Sequence, residues 1–294
     1  MKKILFLYNP IAGQAKIRKN MYEVVSFYED NNCLVTLCCS KKLPQLYDET
    51  ENFEEQFDTV VCSGGDGTLN LVVSFFMEKG IDIPVGYLPA GSTNDYANSI
   101  GIPKNTLGAL KKTLSRKRKY MDMGNFNGRY FLYVAAFGIF TKVSYTTPQK
   151  NKNLLGHAAY LLEGMKELPD IKSYRMTVHA NGKKVIGDFM IGMITNSMSV
   201  GGFKNVLAKS VDMDDGLMEV LLVKRPSNLL ELQGIIFALL SDNPGKNENI
   251  ICFQSASIQI EADDPVAWTL DGEYGGRTRK ANIDDIEKAF SLWL

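Results

Sequence analysis

The sequence contains little histidine and cysteine, and it has no net charge. Two histidines and five cysteines occur among 294 residues, and no C-x-x-C pair exists among Cys33, Cys38, Cys39, Cys62 and Cys252. This spacing is typical of neither a zinc site nor a disulfide framework. We therefore expect the cysteines to be reduced thiols in the core of a cytosolic protein. The 33 basic residues balance the 33 acidic ones. The chain as a whole therefore lacks the charge pattern of a nucleic-acid-binding protein, and we expect no nucleic-acid partner.

Long apolar runs are also absent. No stretch approaches the roughly twenty apolar residues that span a bilayer. The first run, Ile4 to Tyr8, is too short for a secretory signal and ends at Asn9-Pro10. We therefore expect a cytoplasmic protein, and any membrane contact would be peripheral.

Residues 1–122 alternate strand-like and helix-like segments, which predicts an α/β domain with a mainly parallel sheet. The predicted strands are Lys3 to Tyr8, Leu34 to Cys39, Thr59 to Cys62 and Val85 to Leu88. Helical spacing occurs at Lys16 to Glu29 and at Leu69 to Glu78.

Residues 123–294 show hairpin signals instead, because Asn127-Gly128 and Asn181-Gly182 each lie between apolar runs. Further strands are predicted at Leu217 to Val223, Ile250 to Phe253, Ala256 to Ile260 and Val266 to Leu270, with helical inserts near Leu154 to Leu168 and Leu229 to Leu240. This half is predicted to be a mostly antiparallel β-sandwich.

A glycine-rich stretch, Ser63-Gly64-Gly65-Asp66-Gly67-Thr68-Leu69-Asn70, follows the third strand. Its glycines allow positive φ and a close approach of the backbone to a ligand. A helix that starts at Thr68 or Leu69 would add unpaired N–H groups, so the stretch is typical of an anion site. Asp66 would repel a phosphate unless a cation lay between them. A plain βα turn is the alternative.

Two more loops are predicted at the same sheet edge, because each follows a parallel strand. One is Asn9-Pro10-Ile11-Ala12-Gly13, and the other runs from Pro89 to Asp95 and includes Ser92, Asn94 and Asp95. Alone, the first predicts a turn and the second a helix cap.

Together the three loops resemble the lipid kinase branch of the diacylglycerol kinase superfamily, whose distant relatives include NAD kinases and 6-phosphofructokinases. The family usually has threonine where Ser92 stands, and the hydroxyl is kept. Val143 to Pro148 and the helix predicted after them are similar to the soluble bacterial diacylglycerol kinases.

The resemblance implies an NAD-kinase-like nucleotide-binding domain at 1–122 and a lipid-substrate domain at 123–294. It implies ATP and Mg²⁺ as cofactors and transfer of the γ-phosphate to diacylglycerol, which gives phosphatidate. The nucleotide residues would be Asn9, Pro10, Ile11, Ala12, Gly13, Ser40, Gly64, Gly65, Asp66, Gly67, Thr68, Leu69, Asn70, Ser92, Asn94 and Asp95. The alternatives are a kinase that acts on another lipid alcohol or on NAD, and a non-catalytic sensor of lipid or nucleotide. Both a monomer and a homodimer are left open.

Two acidic turns occur in the second half. Asp212, Asp214 and Asp215 precede a strand, where their charges would repel one another unless solvent or a cation separates them. The resemblance implies a structural magnesium there, held by Asp215 with Asp212 and Leu217.

The second turn, Asp271-Gly272-Glu273, would direct Glu273 away from the sheet. Phosphoryl transfer to an alcohol needs a base near the acceptor oxygen, and the resemblance assigns that role to Glu273.

Other enzyme classes lack their motifs. Neither Gly-Lys pair, at 182–183 or 245–246, has a glycine five positions earlier, so no Walker A loop is present. There is no G-x-S-x-G elbow of a serine hydrolase, and residues 65–70 lack the last glycine of a dinucleotide fingerprint.

The basic segment Lys111 to Lys119 indicates a solvated helix end or, alternatively, a patch for anionic lipid. An apolar acceptor site would use Tyr145, Phe203 and Tyr274.

Overall fold

The computed structural model describes residues 1–12, 16–91, 93–138, 172–197, 199–200, 203–204, 212–239, 241 and 243–294. These form two compact units, one of Met1–Met121 with Lys288–Leu294 and one of Asp122–Glu287. None of the described helices combines the length and apolar character needed to span a bilayer.

The sequence prediction assigned residues 288–294 to the second domain, and the structure corrects this. Leu292 pairs in parallel with Val85, and the indole N–H of Trp293 donates to Thr59 Oγ1 at 3.1 Å. The end of the chain therefore belongs to the sheet of the first unit.

The first unit alternates strands with helices. In chain order they are β1 Lys2–Tyr8, α1 Lys16–Asp30, β2 Cys33–Cys39, a 3-10 turn Ser40–Lys42, α2 Leu43–Glu49, α3 Phe53–Gln56, β3 Thr59–Gly64, α4 Asp66–Lys79, β4 Val85–Pro89, α5 Asp95–Ser99 and α6 Thr106–Thr113. The α4 helix starts at Asp66, before the predicted Thr68 or Leu69. Its first turn therefore lies within the glycine-rich stretch.

Parallel pairing joins β1 to both β2 and β3, and β3 to β4. Ile4, Leu5, Phe6 and Leu7 are fully buried, which explains their continuous apolar run: both faces of a parallel sheet are covered. Tyr8 lies opposite Cys39 and Ser63, and Gly64 lies opposite Pro89. The segments that follow these strands consequently begin at one edge of the sheet, as predicted from the alternation.

The second unit is rich in strands. They are β5 Arg118–Phe126, which begins in the first unit, β6 Arg129–Phe131, β7 Val134–Gly138, β8 Tyr174–Ala180, β9 Lys183–Thr195, β10 Ser199–Val200, β11 Phe203–Lys204, β12 Met218–Lys224, β13 Ile250–Ser255, β14 Ser257–Leu270 and β15 Glu273–Trp293, which ends in the first unit. The described helical segments are α7 Leu229–Leu239 and a 3-10 turn Pro244–Lys246. The predicted helix near Leu154 to Leu168 lies outside the described residues.

Both Asn-Gly hairpins are confirmed. Asn127 and Gly128 have φ of 49° and 85°, and Asn181 and Gly182 have φ of 52° and 69°, the positive values that a type I′ turn requires. The two predicted strands at 256–270 are instead one strand, β14, whose register with β15 shifts between Glu261 and Val266.

The core of the second unit surrounds Trp268, which is 1% exposed. The rings of Phe126 and Phe137 both lie 4.9 Å from the Trp268 ring, measured between centroids. Residues from β8, β9 and β12, such as Val178, Phe189 and Val220, extend this core. Burial of these apolar side chains holds the strands of the unit together.

Candidate functional site

Asn9 connects the first predicted loop to the start of α4. Its side-chain Nδ2 donates to Thr68 Oγ1 at 3.0 Å, and its backbone N–H donates to the Ser63 carbonyl at 3.0 Å. The Asn9 side-chain oxygen also accepts from the N–H of Ile11 at 3.2 Å. Asn9 thus fixes the path of the loop through Pro10, Ile11 and Ala12, while Gly13 lies outside the described residues.

The glycines of the central stretch serve close packing. The positive φ that these glycines allow is not used, because Gly64, Gly65 and Gly67 all lie outside the left-handed region. A Cβ at Gly64 would lie 2.4 Å from Thr68 Oγ1. A Cβ at Gly91 would lie 2.6 Å from the Cα of Gly65. The second and third loops therefore touch backbone to backbone, and a side chain there would separate them.

Hydrogen bonds hold the third loop in the same position. The N–H of Ala90 donates to the Gly64 carbonyl at 2.7 Å. Asn94 closes the loop from both sides, because its Oδ1 accepts from the Gly91 N–H at 2.9 Å and its Nδ2 donates to the Gly91 carbonyl at 3.0 Å. Asn94 also has a left-handed φ of 52° immediately before α5. Ser92 lies outside the described residues.

Asp66 is buried beneath these loops, with 8% of its surface exposed. The hydroxyl of Tyr87 on β4 donates to Asp66 Oδ1 at 3.0 Å. Burial raises the pKa of Asp66 to about 6, and the Asp95 carboxylate adds to this shift. Hydrogen bonds from Tyr87 and from the backbone of Tyr96 and Asp95 oppose it. The carboxylate is thus held both from β4 and from the start of α5.

A cavity of about 520 Å³ lies beside the third loop, with Ser63, Ala90, Gly91 and Asn94 in its wall. Its remaining wall includes residues that the sequence did not single out, namely Asn20, Lys104, Asn105, Thr106 and Ala109. The volume is that of a small-molecule site. Lys104 and Asn20 had no motif to mark them; the packing of α6 against β4 and of α1 against β2 brings them to the loop.

The other predicted nucleotide residues have different surroundings. Ser40 is 2% exposed and follows β2 directly, at the edge where the loops begin. Leu69 is fully buried on α4, so it packs in the core. Asn70 Oδ1 accepts from the Ser74 hydroxyl at 2.8 Å along the same helix. The structure therefore places Leu69 in a packing role.

In the second unit, Asp271-Gly272 forms the turn between β14 and β15. Both residues have positive φ, 51° and 84°. The Asp271 carboxylate accepts from three successive backbone N–H groups, those of Leu132 at 2.7 Å, Tyr133 at 3.0 Å and Val134 at 3.1 Å. The three anchored N–H groups lie between the end of β6 and the start of β7. Glu273 follows the turn with an exposed side chain.

The acidic turn before β12 is more enclosed than its sequence indicates. Asp212 and Asp215 are exposed, and Asp215 Oδ1 accepts from the Leu217 N–H at 3.0 Å. Asp122, which is 1% exposed, accepts from the Gly216 N–H at 2.8 Å and donates its own N–H to the Met213 carbonyl at 2.9 Å. No motif marks Asp122 in the sequence, since a lone aspartate in a strand is common.

Asp285 adds another carboxylate beside this turn. Burial, and then the charges of Asp122, Asp215, Glu287 and Glu219, raise the pKa of Asp285 to about 7. Neither Asp285 oxygen has a hydrogen-bond partner among the described residues. Within the part of the chain that is described, however, no three His, Cys, Asp or Glu side chains are grouped to hold a metal. A hard cation that prefers oxygen ligands would suit this charge, but it would need main-chain oxygens or water in addition.

Some residues of the basic segment 111–119 already make contacts within the first unit. Lys111 and Lys112 lie in the last turn of α6, where cations favour the helix dipole. Arg118 forms an ion pair with Asp82 and donates to Ser291 Oγ at 2.9 Å. Of the predicted acceptor-site residues, Tyr274 is 58% exposed, Phe203 lies in the short strand β11, and Tyr145 is outside the described residues, as are Val143 to Pro148.

Comparison with known families matches both halves of the chain. Residues 3–126 match the diacylglycerol kinase catalytic domain, and residues 134–282 match the YegS C-terminal NAD kinase beta sandwich-like domain. The diacylglycerol kinase of Bacillus subtilis (strain 168) is 30% identical over 281 residues, which cover 94% of this chain and 91% of that protein. The chain belongs to the diacylglycerol kinase family.

Another relative supports the same membership. The diacylglycerol kinase of Staphylococcus aureus (strain MRSA252) is 30% identical over 293 residues, covering 99% of this chain and 92% of that protein. A crystal structure of a diacylglycerol kinase from Bacillus anthracis str. Sterne covers 99% of this chain and 96% of its own, with a TM-score of 0.73 and 20% identity. At that identity the structural match establishes the shared fold. The relatives at 30% identity confirm the predicted family.

Proposed function

We propose that the protein is an ATP-dependent lipid kinase that phosphorylates the hydroxyl of diacylglycerol to give phosphatidate. The observation that carries this proposal is the convergence of three strand-end loops at the start of α4, where the buried carboxylate of Asp66 lies. The family relatives named diacylglycerol kinase, which align over nearly the whole chain, support the choice of acceptor.

The first unit would bind the nucleotide. Backbone N–H groups at the start of α4 suit phosphate oxygens, since a helix N-terminus attracts anions. The cavity beside the third loop would receive the rest of ATP, and Lys104 in its wall would supply a positive charge. Ser92 and Gly13 would complete the site. The close approach of Gly65 and Gly91 supports this role, because it keeps the two loops in a fixed relation.

Asp66 would hold a magnesium ion at this loop. A divalent cation there would neutralise charge on the β- and γ-phosphates. The charge of Asp66 and its burial fit such a partner, because burial disfavours the charged carboxylate and a nearby cation would stabilise it. Asp215, with oxygens of Asp212 and Leu217, would hold a structural magnesium in the second unit, and the unpartnered oxygens of Asp285 fit an additional positive charge nearby.

Glu273 would act as the general base on the acceptor. As the lipid hydroxyl oxygen forms its bond to the γ-phosphorus, the hydroxyl proton would pass to the Glu273 carboxylate. The bond from the γ-phosphorus to the bridging oxygen would break, and ADP would leave. The Asp271 anchor supports this assignment, because three N–H donors fix the turn that carries Glu273.

The protein would act at the membrane surface from the cytoplasm. Lys111, Lys112, Arg116 and Lys117 would attract anionic lipid at about 1 kcal/mol per residue near the surface. Arg118 is excluded from this patch because it is paired with Asp82. Activity should then rise with vesicles that contain anionic lipid.

A panel of acceptors tests the proposal. Purified protein with Mg²⁺ and ATP should phosphorylate diacylglycerol in preference to sphingosine, phosphatidylglycerol, undecaprenol and NAD. Preference for NAD over every lipid, or binding of nucleotide without transfer to any acceptor, would contradict it.

A further inference from the structure

The core of the second unit has an opening that the proposed chemistry does not use. A cavity of about 240 Å³ lies between the β8–β9 hairpin and the strand β13. Its floor is Val178, a core residue that is 1% exposed. Its walls are Ala180, Val185, Ile251 and Phe253, which pack only partly buried against the same core. The cavity is therefore an apolar entrance to the interior of the unit.

Hydrogen bonds close one end of this cavity. Asn181, in the hairpin turn, donates through Nδ2 to the Gln254 carbonyl at 2.6 Å. Its Oδ1 accepts from the Ser255 hydroxyl at 3.0 Å. These contacts hold the hairpin to the end of β13. The cavity keeps its shape without a side chain that fills it.

The charge at the mouth of the cavity is positive. Lys183 is the one charged residue among the described residues that line it. Lys183 has an exposed side chain and forms no ion pair with the described residues. Its register partner is Ala180, so it stands at the end of the apolar face of the hairpin. Lys184, the next residue, is on the opposite face because side chains alternate along a strand.

We propose that this cavity binds the alkyl chain of a fatty acid, with the carboxylate at Lys183. Apolar walls favour a hydrocarbon chain, and one lysine matches the single charge of a carboxylate. A phosphate head carries a charge of about −1.5 to −2 and would be only partly neutralised. The cavity of about 240 Å³ has room for about eight groups the size of a water molecule, at roughly 30 Å³ each. The ligand is thus a single chain of about eight carbons, or that length of a longer one.

Octanoate, which stays monomeric in solution, is the probe. Calorimetry should show saturable binding to the full chain, and hexanoate should bind about tenfold more weakly because two buried methylenes are lost. Chains longer than about ten carbons should gain little. Octanoate should also slow alkylation of Cys252, which lines the cavity, and leave that of Cys38, which does not, unchanged.

Two lysine variants locate the head group. Lys183→Gln should weaken octanoate binding about threefold to fivefold, while Lys184→Gln on the opposite face should leave it unchanged. Ala180→Leu should weaken binding at least tenfold by filling the cavity. The proposal is overturned if wild-type protein shows no saturable binding, if the two lysine variants behave alike, or if octylammonium binds as well as octanoate. Tighter binding of octyl phosphate would contradict the carboxylate head.

Discussion

The hydroxyl of Tyr87 donates to the buried carboxylate of Asp66 at 3.0 Å. Tyr87 is 1% exposed and Asp66 8%, so water does not compete for this hydrogen bond. Because the bond favours the charged form, it lowers the pKa of Asp66 and opposes the effect of burial. Tyr87 therefore both orients Asp66 and helps to keep it ionised, which a cation partner requires.

Replacing this tyrosine should impair transfer. Tyr87→Phe removes the donor, so we expect turnover to fall about tenfold and the acid limb of the pH–rate profile to move to higher pH. The charged form of Asp66 is needed, and its pKa is about 6 in the protein without a cation. A bound cation would lower that pKa, so the wild-type limb in excess Mg²⁺ should lie below pH 6. Steady-state kinetics measured between pH 5 and pH 8 report the position of this acid limb in the two proteins.

Tyr28→Phe is the matched control. Tyr28 is also fully buried, and its hydroxyl is hydrogen bonded to Thr113 Oγ1 at 2.8 Å, on another part of the first unit. Both variants should lose about 1 kcal/mol of unfolding free energy, but Tyr28→Phe should keep the wild-type pH profile. Identical profiles for the two variants would show that Tyr87 has only a packing role.

Asp66→Asn should stabilise the protein while it removes activity. The pKa of Asp66 is raised in the folded state, so folding is favoured below pH 4, where both states are protonated, and disfavoured as the pH rises through about 6. The charged carboxylate then costs up to about 3 kcal/mol. The variant lacks this cost, and its amide can still bond to Tyr87.

Thermal unfolding without nucleotide or metal measures whether Asp66→Asn raises or lowers the stability of the protein at each pH. The two proteins should melt alike near pH 4, and the variant should melt several degrees higher near pH 8. A difference that shrinks as the pH rises would contradict the assigned pKa direction.

Gly91→Ala should separate the second and third loops. The new Cβ would lie 2.6 Å from the Gly65 Cα, a backbone atom that cannot rotate away. We expect nucleotide affinity to fall about tenfold and stability to fall by about 1–3 kcal/mol. A fluorescent ATP analogue reports the affinity. Gly245→Ala, whose Cβ would meet Cys252 Cβ at an ordinary 3.6 Å, should change neither quantity. Equal effects of the two changes would argue against loop contact as the cause.

Magnesium should stabilise the second unit through its acidic turn. If Asp215 holds the ion, excess Mg²⁺ should raise the melting temperature of wild-type protein, by mass action on the folded state. Asp215→Ala should reduce that increase, while Asp264→Ala, an exposed carboxylate on β14, should preserve it. A melting temperature that responds to magnesium equally in all three proteins would place the ion elsewhere.

The sequence predicted the elements whose burial is regular. β1 has a continuous apolar run because both faces of its sheet are covered, and Asn127-Gly128 and Asn181-Gly182 have the turn chemistry that their hairpins require. β15 was missed, because its run Glu273–Trp293 is rich in charged residues and lacks apolar alternation over much of its length. Its place is set by pairing with β14, which no local pattern reports.

Motifs located the loops of the candidate site but not the residues that support them. Tyr87 lies inside a predicted strand and appears there as a core aromatic residue, and its hydroxyl reaches Asp66 only through the pairing of β3 with β4. Asp122, Asp285 and Lys104 are likewise brought in by tertiary packing. Positive φ, which the glycines were predicted to allow, is not used, and close packing is what Gly64 and Gly65 require: Gly64 against Thr68 of α4 and Gly65 against Gly91 of the third loop.

Transfer of the γ-phosphate from labelled ATP to diacylglycerol in mixed micelles, compared between wild type and Glu273→Gln, tests the central claim most directly. The exposed Glu273 makes the change compatible with folding, and nucleotide affinity should stay at the wild-type value. We predict labelled phosphatidate from wild type and a loss of at least a hundredfold in the variant, since a general base contributes about 10²–10⁴ in rate. Labelled phosphatidate at the wild-type rate from Glu273→Gln would contradict the assignment of the base, and no labelled lipid from wild type would contradict the lipid kinase itself.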